Sequence, residues 1–183
     1  MHQPCTGWQR GCTVPRLFRF DSHAAVLAGI AAGIVLVAFD MASTAFTGGA
    51  DTAATPLRMS GAIVLGSRAL EPGYPAALAL AMGLFVQLTL SVACAWLFAA
   101  LLSWLESVTE GEFLTTGHEH LLAGMVFATA IWLVGFYVVA PLAGWTWFPE
   151  RFNHFVAFLG YGLLFGATLG FMIDRTHAIR RMA

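Results

Sequence analysis

The sequence predicts an all-α integral membrane protein: a four-transmembrane-helix bundle with a short interfacial or re-entrant segment in its first loop. The first observation is composition, since 58% of the 183 residues are hydrophobic and 10% are charged, against about 25% charged residues in a soluble domain. The second is a mean hydropathy of +0.75. The third is a set of four apolar stretches, each long enough for a helix to cross a hydrocarbon core of about 30 Å. These stretches are Ala24 to Phe46, Ala76 to Leu105, Leu121 to Leu142 and Phe155 to Ile173.

The stretches divide the chain into a cytoplasmic N-terminal arm (residues 1–23), a four-helix transmembrane domain (residues 24–173) and a cytoplasmic C-terminal tail (residues 174–183). All nine basic residues are arginines, and six of them lie in the two terminal segments. Because arginine-rich segments stay on the cytoplasmic side, we expect both termini inside, in a bacterial inner (cytoplasmic) membrane. The formal net charge of −1 gives no basic surface for nucleic acid.

Asp40, in the first stretch, is the only formally charged residue inside the four stretches. A carboxylate at that depth is costly unless it is paired, protonated or facing water. We expect Arg58 in the first loop to be its partner, in a salt bridge that pins the loop onto the bundle. The alternative is a proton- or cation-handling acid, with Gln87 as a second polar group in the membrane.

The first loop contains a short apolar run, Met59 to Gly66, between Arg58 and Arg68. It is too short to span a bilayer, so it forms either an interfacial helix or a shallow re-entrant segment. The second stretch is long instead, at about 45 Å as a helix. We therefore expect that helix to tilt or to project beyond the bilayer.

Small residues recur at every fourth position in three of the four stretches, a spacing that lets helix backbones approach closely. These positions include Gly29 and Gly33 in the first stretch, Ala79 and Gly83 in the second, and Gly162, Gly166 and Gly170 in the last. Such faces serve either packing within the bundle or docking onto another subunit. The sequence leaves both interpretations open.

The third loop carries a cluster of aromatic residues, Trp145, Trp147 and Phe148, followed by Pro149. Tryptophan and other large aromatic residues concentrate at membrane–water interfaces. We expect these three side chains to anchor the outer interface.

The histidines lie near the ends of the stretches, whereas two-histidine haem ligation inside a bundle needs imidazoles facing each other from neighbouring helices. His118, His120 and His154 are weak candidates for metal ligands. On a helix the side chains of His118 and His120 diverge, so we expect an interfacial, solvated cluster there. The sequence therefore predicts no metal and no other cofactor, although bound lipid is expected.

Sequence motifs of known enzymes are missing. The three cysteines, Cys5, Cys12 and Cys94, form no Cys-x-x-Cys pair, which argues against a disulfide-generating enzyme. The sequence also contains no phosphate-binding glycine loop and no His-Glu-x-x-His motif. We expect the protein not to be catalytic by itself.

The chain resembles a group of small four-helix bacterial inner-membrane proteins of uncharacterised function, some of which carry a symporter-like name. The resemblance rests on PLRMSGAIVLG (Pro56 to Gly66) and on GFYVVAPLAGWTWFPERFNHF (Gly135 to Phe155), which leads into the glycine-rich last helix. It covers most of the chain from residue 24 to residue 173 and implies a fold rather than an activity. Around Gln87 and Gly162 this chain lacks the histidines of the group's second and fourth helices, so the resemblance implies no haem or metal role.

These observations favour an accessory, structural or assembly subunit of a larger inner-membrane complex, with an energy-transducing complex as the expected setting. The partners would be the lipid bilayer and other membrane subunits or further copies of the chain. One alternative is a small oligomeric transporter or channel that uses Asp40, Gln87 and Arg58 along a polar path. The other is a redox subunit that binds haem or quinone near the interface through His154 or through His118 and His120.

Overall fold

The computed structural model describes residues 22–108, 117–145, 147 and 154–182, with side chains for all of these except 154, 155 and 176–182. The described residues form helices and turns and contain no strand. Four helices are long and apolar enough to cross a membrane: Ser22–Gly48, Ala76–Val108, Gly117–Leu142 and Val156–Arg175. The prediction of four such helices is confirmed. We call the last two the third span and the fourth span.

Seven α-helices lie along the described chain. They are α1 (Ser22–Gly48), α2 (Thr55–Leu65), α3 (Ala76–Val108), α4 (Gly117–Val134), α5 (Ala140–Leu142), α6 (His154–Phe158) and α7 (Gly166–Met182). Two π-helical turns make the long spans continuous. The turn Gly135–Val139 joins α4 to α5, and the turn Leu159–Phe165 joins α6 to α7.

The spans pack in the spatial order α3, α1, fourth span, third span. Small residues make these contacts close. A Cβ atom built on Gly29 of α1 would lie 2.7 Å from the Cα atom of Val92 in α3, and one built on Gly166 would lie 2.6 Å from the carbonyl oxygen of Gly124 in α4. The glycine faces seen in the sequence are therefore occupied by the chain's own helices, which removes them as surfaces for another subunit.

The two outer spans of this order, α3 and the third span, barely contact each other within the described residues. They approach each other at Phe98 and Phe127, whose ring centroids lie 5.1 Å apart. Phe98 is fully buried there, together with Leu36 of α1 and Leu169 of the fourth span. The bundle is thus closed near the chain ends and open along one side toward the first and third loops.

Helix α2 lies against the first part of α3. Pro56 occupies its first turn, where the missing N–H costs nothing, and Gly66 ends it with a φ of 78° that favours glycine. A Cβ atom on Gly61 would lie 2.5 Å from the carbonyl oxygen of Ala79 in α3, and Gly83 of α3 is in equally close contact with the backbone of Leu57. This packing holds the buried face of α2 on the bundle.

Several helix ends differ from the predicted ones. The third span begins at Gly117 rather than Leu121, and the last helix continues past Ile173 to Met182. Nothing in residues 174–182 is glycine or proline, so no residue there interrupts the helix. Helix α3 has 33 residues, which makes it about 50 Å long. The predicted arm, residues 1–23, lies outside the described residues except for Ser22 and His23, which belong to α1.

Candidate functional site

Four polar side chains inside the bundle come from four different spans or helices: Asp40 (α1), Ser60 (α2), Gln87 (α3) and Tyr161 (fourth span). We call them the polar cluster. Asp40 is 6% exposed and Gln87 is 7% exposed. The Ser60 hydroxyl donates a hydrogen bond of 3.2 Å to the Oε1 atom of Gln87. This bond ties α2 to α3 at the level of the open side.

Tyr161 connects the rest of the cluster. Its hydroxyl lies beside the side chain of Gln87 and within electrostatic range of the Asp40 carboxyl. The backbone carbonyl of Asp40 accepts hydrogen bonds from the hydroxyls of Ser43, at 3.0 Å, and Thr44, at 2.6 Å. The order of neighbours is therefore Ser60, Gln87, Tyr161 and Asp40, across the interior of the bundle.

The open side of the bundle contains a cleft of about 490 Å³, between α3 and the third span. Its walls are largely apolar, with Phe85 and Leu90 on α3, Ile131 on α4 and Ile63 on α2. Gln87, Ser60 and Tyr161 of the polar cluster also line it. The cleft is thus an apolar groove with hydrogen-bonding groups inside.

Both π-helical turns border the cleft. Gly135, Phe136 and Val139 of the first turn line it, as do Tyr161 and Phe165 of the second. A π-helical turn inserts an additional residue into a helix, and such turns are frequent at functional sites. Here the second turn carries Tyr161, which belongs to the polar cluster and lines the cleft.

Aromatic rings fix the wall formed by the third and fourth spans. The ring of Trp132 lies 5.7 Å from that of Phe136, and Phe136 makes an edge-to-face contact with Tyr161 at 6.1 Å between centroids. Trp132 is 7% exposed, and its indole N–H has no acceptor among the described residues. These contacts hold the Tyr161 ring in one orientation.

The predicted ion pair between Asp40 and Arg58 is wrong. The Arg58 guanidinium instead donates hydrogen bonds to two carbonyl oxygens of the first loop, from Nε to Ala69 at 3.1 Å and from Nη2 to Glu71 at 2.8 Å. Because Arg58 lies at the start of α2, its side chain reaches the loop that follows this helix rather than the interior. Arg58 therefore fastens the loop after α2 to α2 itself, whereas Asp40 interacts electrostatically with Tyr161.

The expectation of a solvated histidine cluster holds for His118, which is exposed, and is wrong for His120. His120 is 4% exposed, because it lies on the face of α4 that packs against α7. Its Nδ1 atom is 3.6 Å from the Oδ1 atom of Asp174 on α7. His154 starts α6, and its side chain lies outside the described part of the chain.

The aromatic residues of the third loop separate in the structure. Trp145 lines the cleft, and Trp147 packs against the small cluster of Ala62, Ala69 and Ala79. Phe148 lies outside the described residues. Both tryptophans are half-buried against protein, so contacts within the chain accompany any anchoring at an interface.

Sequence reasoning found Asp40 and Gln87 but missed Ser60, Trp132 and Tyr161. A signal was present for Tyr161, because it is the only tyrosine of the fourth apolar stretch, and buried tyrosine hydroxyls usually need a partner. No pattern in the sequence marks the cleft itself, since it arises from the missing contact between two spans.

The chemistry available in the cleft is hydrogen bonding to a largely apolar molecule. No Asp, Glu, His, Lys or Arg lines it among the described residues. The described residues also contain no group of three or more His, Cys, Asp or Glu side chains that could hold a metal ion. Comparison of the chain with protein-family models, with curated proteins and with solved structures gives no match.

Proposed function

We propose that this protein is an accessory subunit of a bacterial inner-membrane complex and that it contributes a lipid-facing cleft that holds a lipophilic molecule. The observation that carries this proposal is the cleft between α3 and the third span, which is open at the side of the bundle and lined by three members of the polar cluster, Ser60, Gln87 and Tyr161. The arginine-rich chain ends support a topology with both termini in the cytoplasm.

The surface of the bundle supports embedding in a bilayer. Large apolar side chains are exposed on all four long helices, including Ile34, Leu97, Val126 and Phe171. In water such a surface would be a contiguous apolar patch that promotes aggregation. In a bilayer the same surface contacts acyl chains, and the open side of the cleft then faces lipid.

The cleft matches a small-molecule site in size and composition. Ligand sites have volumes of about 300–1,000 Å³ and mostly apolar walls with a few placed polar groups. The volume here is about 490 Å³, and the hydroxyl and amide side chains that line it are those of Ser60, Gln87, Thr89, Ser91 and Tyr161. A molecule dissolved in the bilayer would reach these groups laterally, without passing through water.

An accessory role fits this arrangement better than catalysis by the chain alone. The cleft offers hydrogen bonds and apolar contact but no nucleophile–base pair or metal ligands among the described residues. Holding a lipophilic molecule next to a larger subunit requires neither. Bound lipid, expected from the sequence, has its site in this cleft.

The experiment places a photo-reactive p-benzoylphenylalanine at position 90 or at position 97 of the full-length protein in its native membrane. Leu90 lines the cleft, and Leu97 lies on the same helix outside it; their side chains are 50% and 53% exposed, so they form a matched pair. We expect irradiation to attach a discrete small lipophilic molecule at position 90 and only bulk phospholipid at position 97. The same adducts at both positions would refute the cleft as a binding site.

A second measurement tests the accessory role. We expect native mass spectrometry of the protein, purified in mild detergent, to find it together with larger membrane subunits in fixed ratio. A homo-oligomer without other subunits would contradict the accessory role and favour a transporter, for which Asp40 would be the first residue to replace.

A further inference from the structure

We propose that the molecule held in the cleft is a neutral lipid with a flat, carbonyl-bearing headgroup, which is the chemistry of a quinone, and that its carbonyl oxygen accepts a hydrogen bond from the Tyr161 hydroxyl. This inference rests on the proposed function and specifies the ligand of that cleft.

The hydrogen bonds of the polar cluster run toward the cleft. Ser60 donates to the Oε1 atom of Gln87, which leaves the Gln87 amide N–H groups for other acceptors. The Tyr161 hydroxyl lies beside that amide and can accept from it. When the Gln87 amide is the donor in this contact, the Tyr161 hydroxyl can donate its own hydrogen to a ligand. A ligand with an acceptor oxygen would complete this series of hydrogen bonds from Ser60 to the cleft.

The charge of the site selects a neutral acceptor. No arginine or histidine lines the cleft among the described residues, and the nearest formal charge acting on Tyr161 comes from the acid Asp40. An anionic group such as a phosphate would therefore lose its hydration without gaining a cation. A ketone oxygen has a much smaller desolvation cost and accepts from a tyrosine hydroxyl equally well.

The position of the cluster along the spans favours a neutral group over a charged phospholipid headgroup. Gln87 is eleven residues after Ala76, the start of α3, which places it about 16 Å along the helix. Tyr161 is five residues after Val156, the start of the fourth span, which places it about 8 Å along that span. The cluster therefore lies inside the apolar spans rather than at their ends. Headgroups of phospholipids stay at the interface, whereas a neutral quinone ring dissolves in the hydrocarbon region.

The walls fit a flat ring. Trp132, Phe136 and Tyr161 form a connected aromatic wall on one side, and Phe85 of α3 lines the cleft as well. Aromatic side chains favour offset or edge-to-face contact with other rings. The volume of about 490 Å³ accommodates a ring and the first part of a tail, and the remaining tail leaves through the open side.

Binding of decylubiquinone to the full-length protein in lipid nanodiscs tests the inference, followed by quenching of tryptophan fluorescence. Tyr161→Phe keeps the ring and removes the donor; Tyr137→Phe is the matched control, because Tyr137 is exposed and lies outside the cleft. We expect Tyr161→Phe to raise the Kd by about three- to tenfold, the effect of one hydrogen bond, and Tyr137→Phe to leave it unchanged. In infrared difference spectra, the carbonyl band of isotope-labelled quinone should shift on binding to the wild type and not to Tyr161→Phe.

Three outcomes would overturn the inference. Equal quinone affinity in the wild type and Tyr161→Phe, with no carbonyl shift, would show that Tyr161 donates no hydrogen bond to the quinone. If the lipophilic cation tetraphenylphosphonium displaces the quinone at a concentration below that of the quinone, the cleft prefers a cation to a neutral ligand. Failure of decylubiquinone to bind, while position 90 still yields a discrete adduct, would overturn the ligand class alone; if that adduct is missing too, the proposed function fails with it.

Discussion

Replacement of Gly166 by alanine tests whether the fourth span and α4 pack through their backbones. A Cβ atom at this position would lie 2.6 Å from the carbonyl oxygen of Gly124 and 2.6 Å from the Cα atom of Met125. Non-bonded carbon atoms prefer a separation of about 3.5–4.0 Å, so the two helices would have to separate by about 1 Å. Neither opposing atom belongs to a side chain, so no rotamer change can relieve the contact. Overpacking of this kind costs about 1–3 kcal/mol.

The control for this variant is Gly135→Ala, since a Cβ atom at Gly135 meets nothing within 4 Å. Both substitutions gain the higher helix propensity of alanine, about 1 kcal/mol in a helix interior, so their difference isolates the packing term. We expect the free energy of unfolding of Gly166→Ala to be about 1–3 kcal/mol below that of Gly135→Ala. The assay is titration with sodium dodecyl sulfate in mixed micelles, followed by tryptophan fluorescence. Equal stability of the two variants would refute the close backbone packing.

Two further predictions concern the polar groups and the cleft. Arg58→Met removes two hydrogen bonds to loop carbonyls and should lower the free energy of unfolding by about 1–3 kcal/mol. In the double variant with Asp40→Asn, the two effects on the free energy of unfolding should add. A coupling energy well above about 0.5 kcal/mol would show that Arg58 and Asp40 interact as an ion pair and would contradict the structure. Cys94 lines the cleft, so after replacement of the two N-terminal cysteines by serine, decylubiquinone should slow its reaction with an apolar maleimide several-fold. A cysteine moved to position 93, which is exposed outside the cleft, should react at the same rate with or without the quinone, and equal protection of both positions would contradict a ligand in the cleft.

Hydropathy and residue spacing were enough to predict the four long helices and the small-residue faces. Both are properties of local sequence. A helix needs only its own backbone hydrogen bonds, and glycine at every fourth position indicates a close-packing helix face whichever helix packs against it. The spacing does not say which helix supplies the partner. The structure assigns Gly29 to α3 and Gly166 to α4, and both are contacts within the chain.

The candidate site was only partly predictable, because it depends on which spans fail to touch. Asp40 and Gln87 are visible as polar residues in apolar stretches, but Tyr161 becomes prominent only once a π-helical turn and the open side place it beside them. Opposite charge alone predicted Arg58 as the partner of Asp40. In the structure the Arg58 guanidinium donates to backbone carbonyl oxygens of the first loop instead, which charge does not predict. For His120 the residue pattern predicts the position along the helix but not which neighbouring helix its side chain packs against.

Photo-crosslinking from position 90 tests the central claim most directly, because it examines the cleft in the native membrane without assuming a ligand. We predict a discrete lipophilic adduct at position 90, whose formation decylubiquinone prevents when it is present during irradiation, and none of that species at position 97. Adducts that match the bulk phospholipids of the membrane at both positions would contradict the account, since the cleft would then be ordinary lipid-exposed surface.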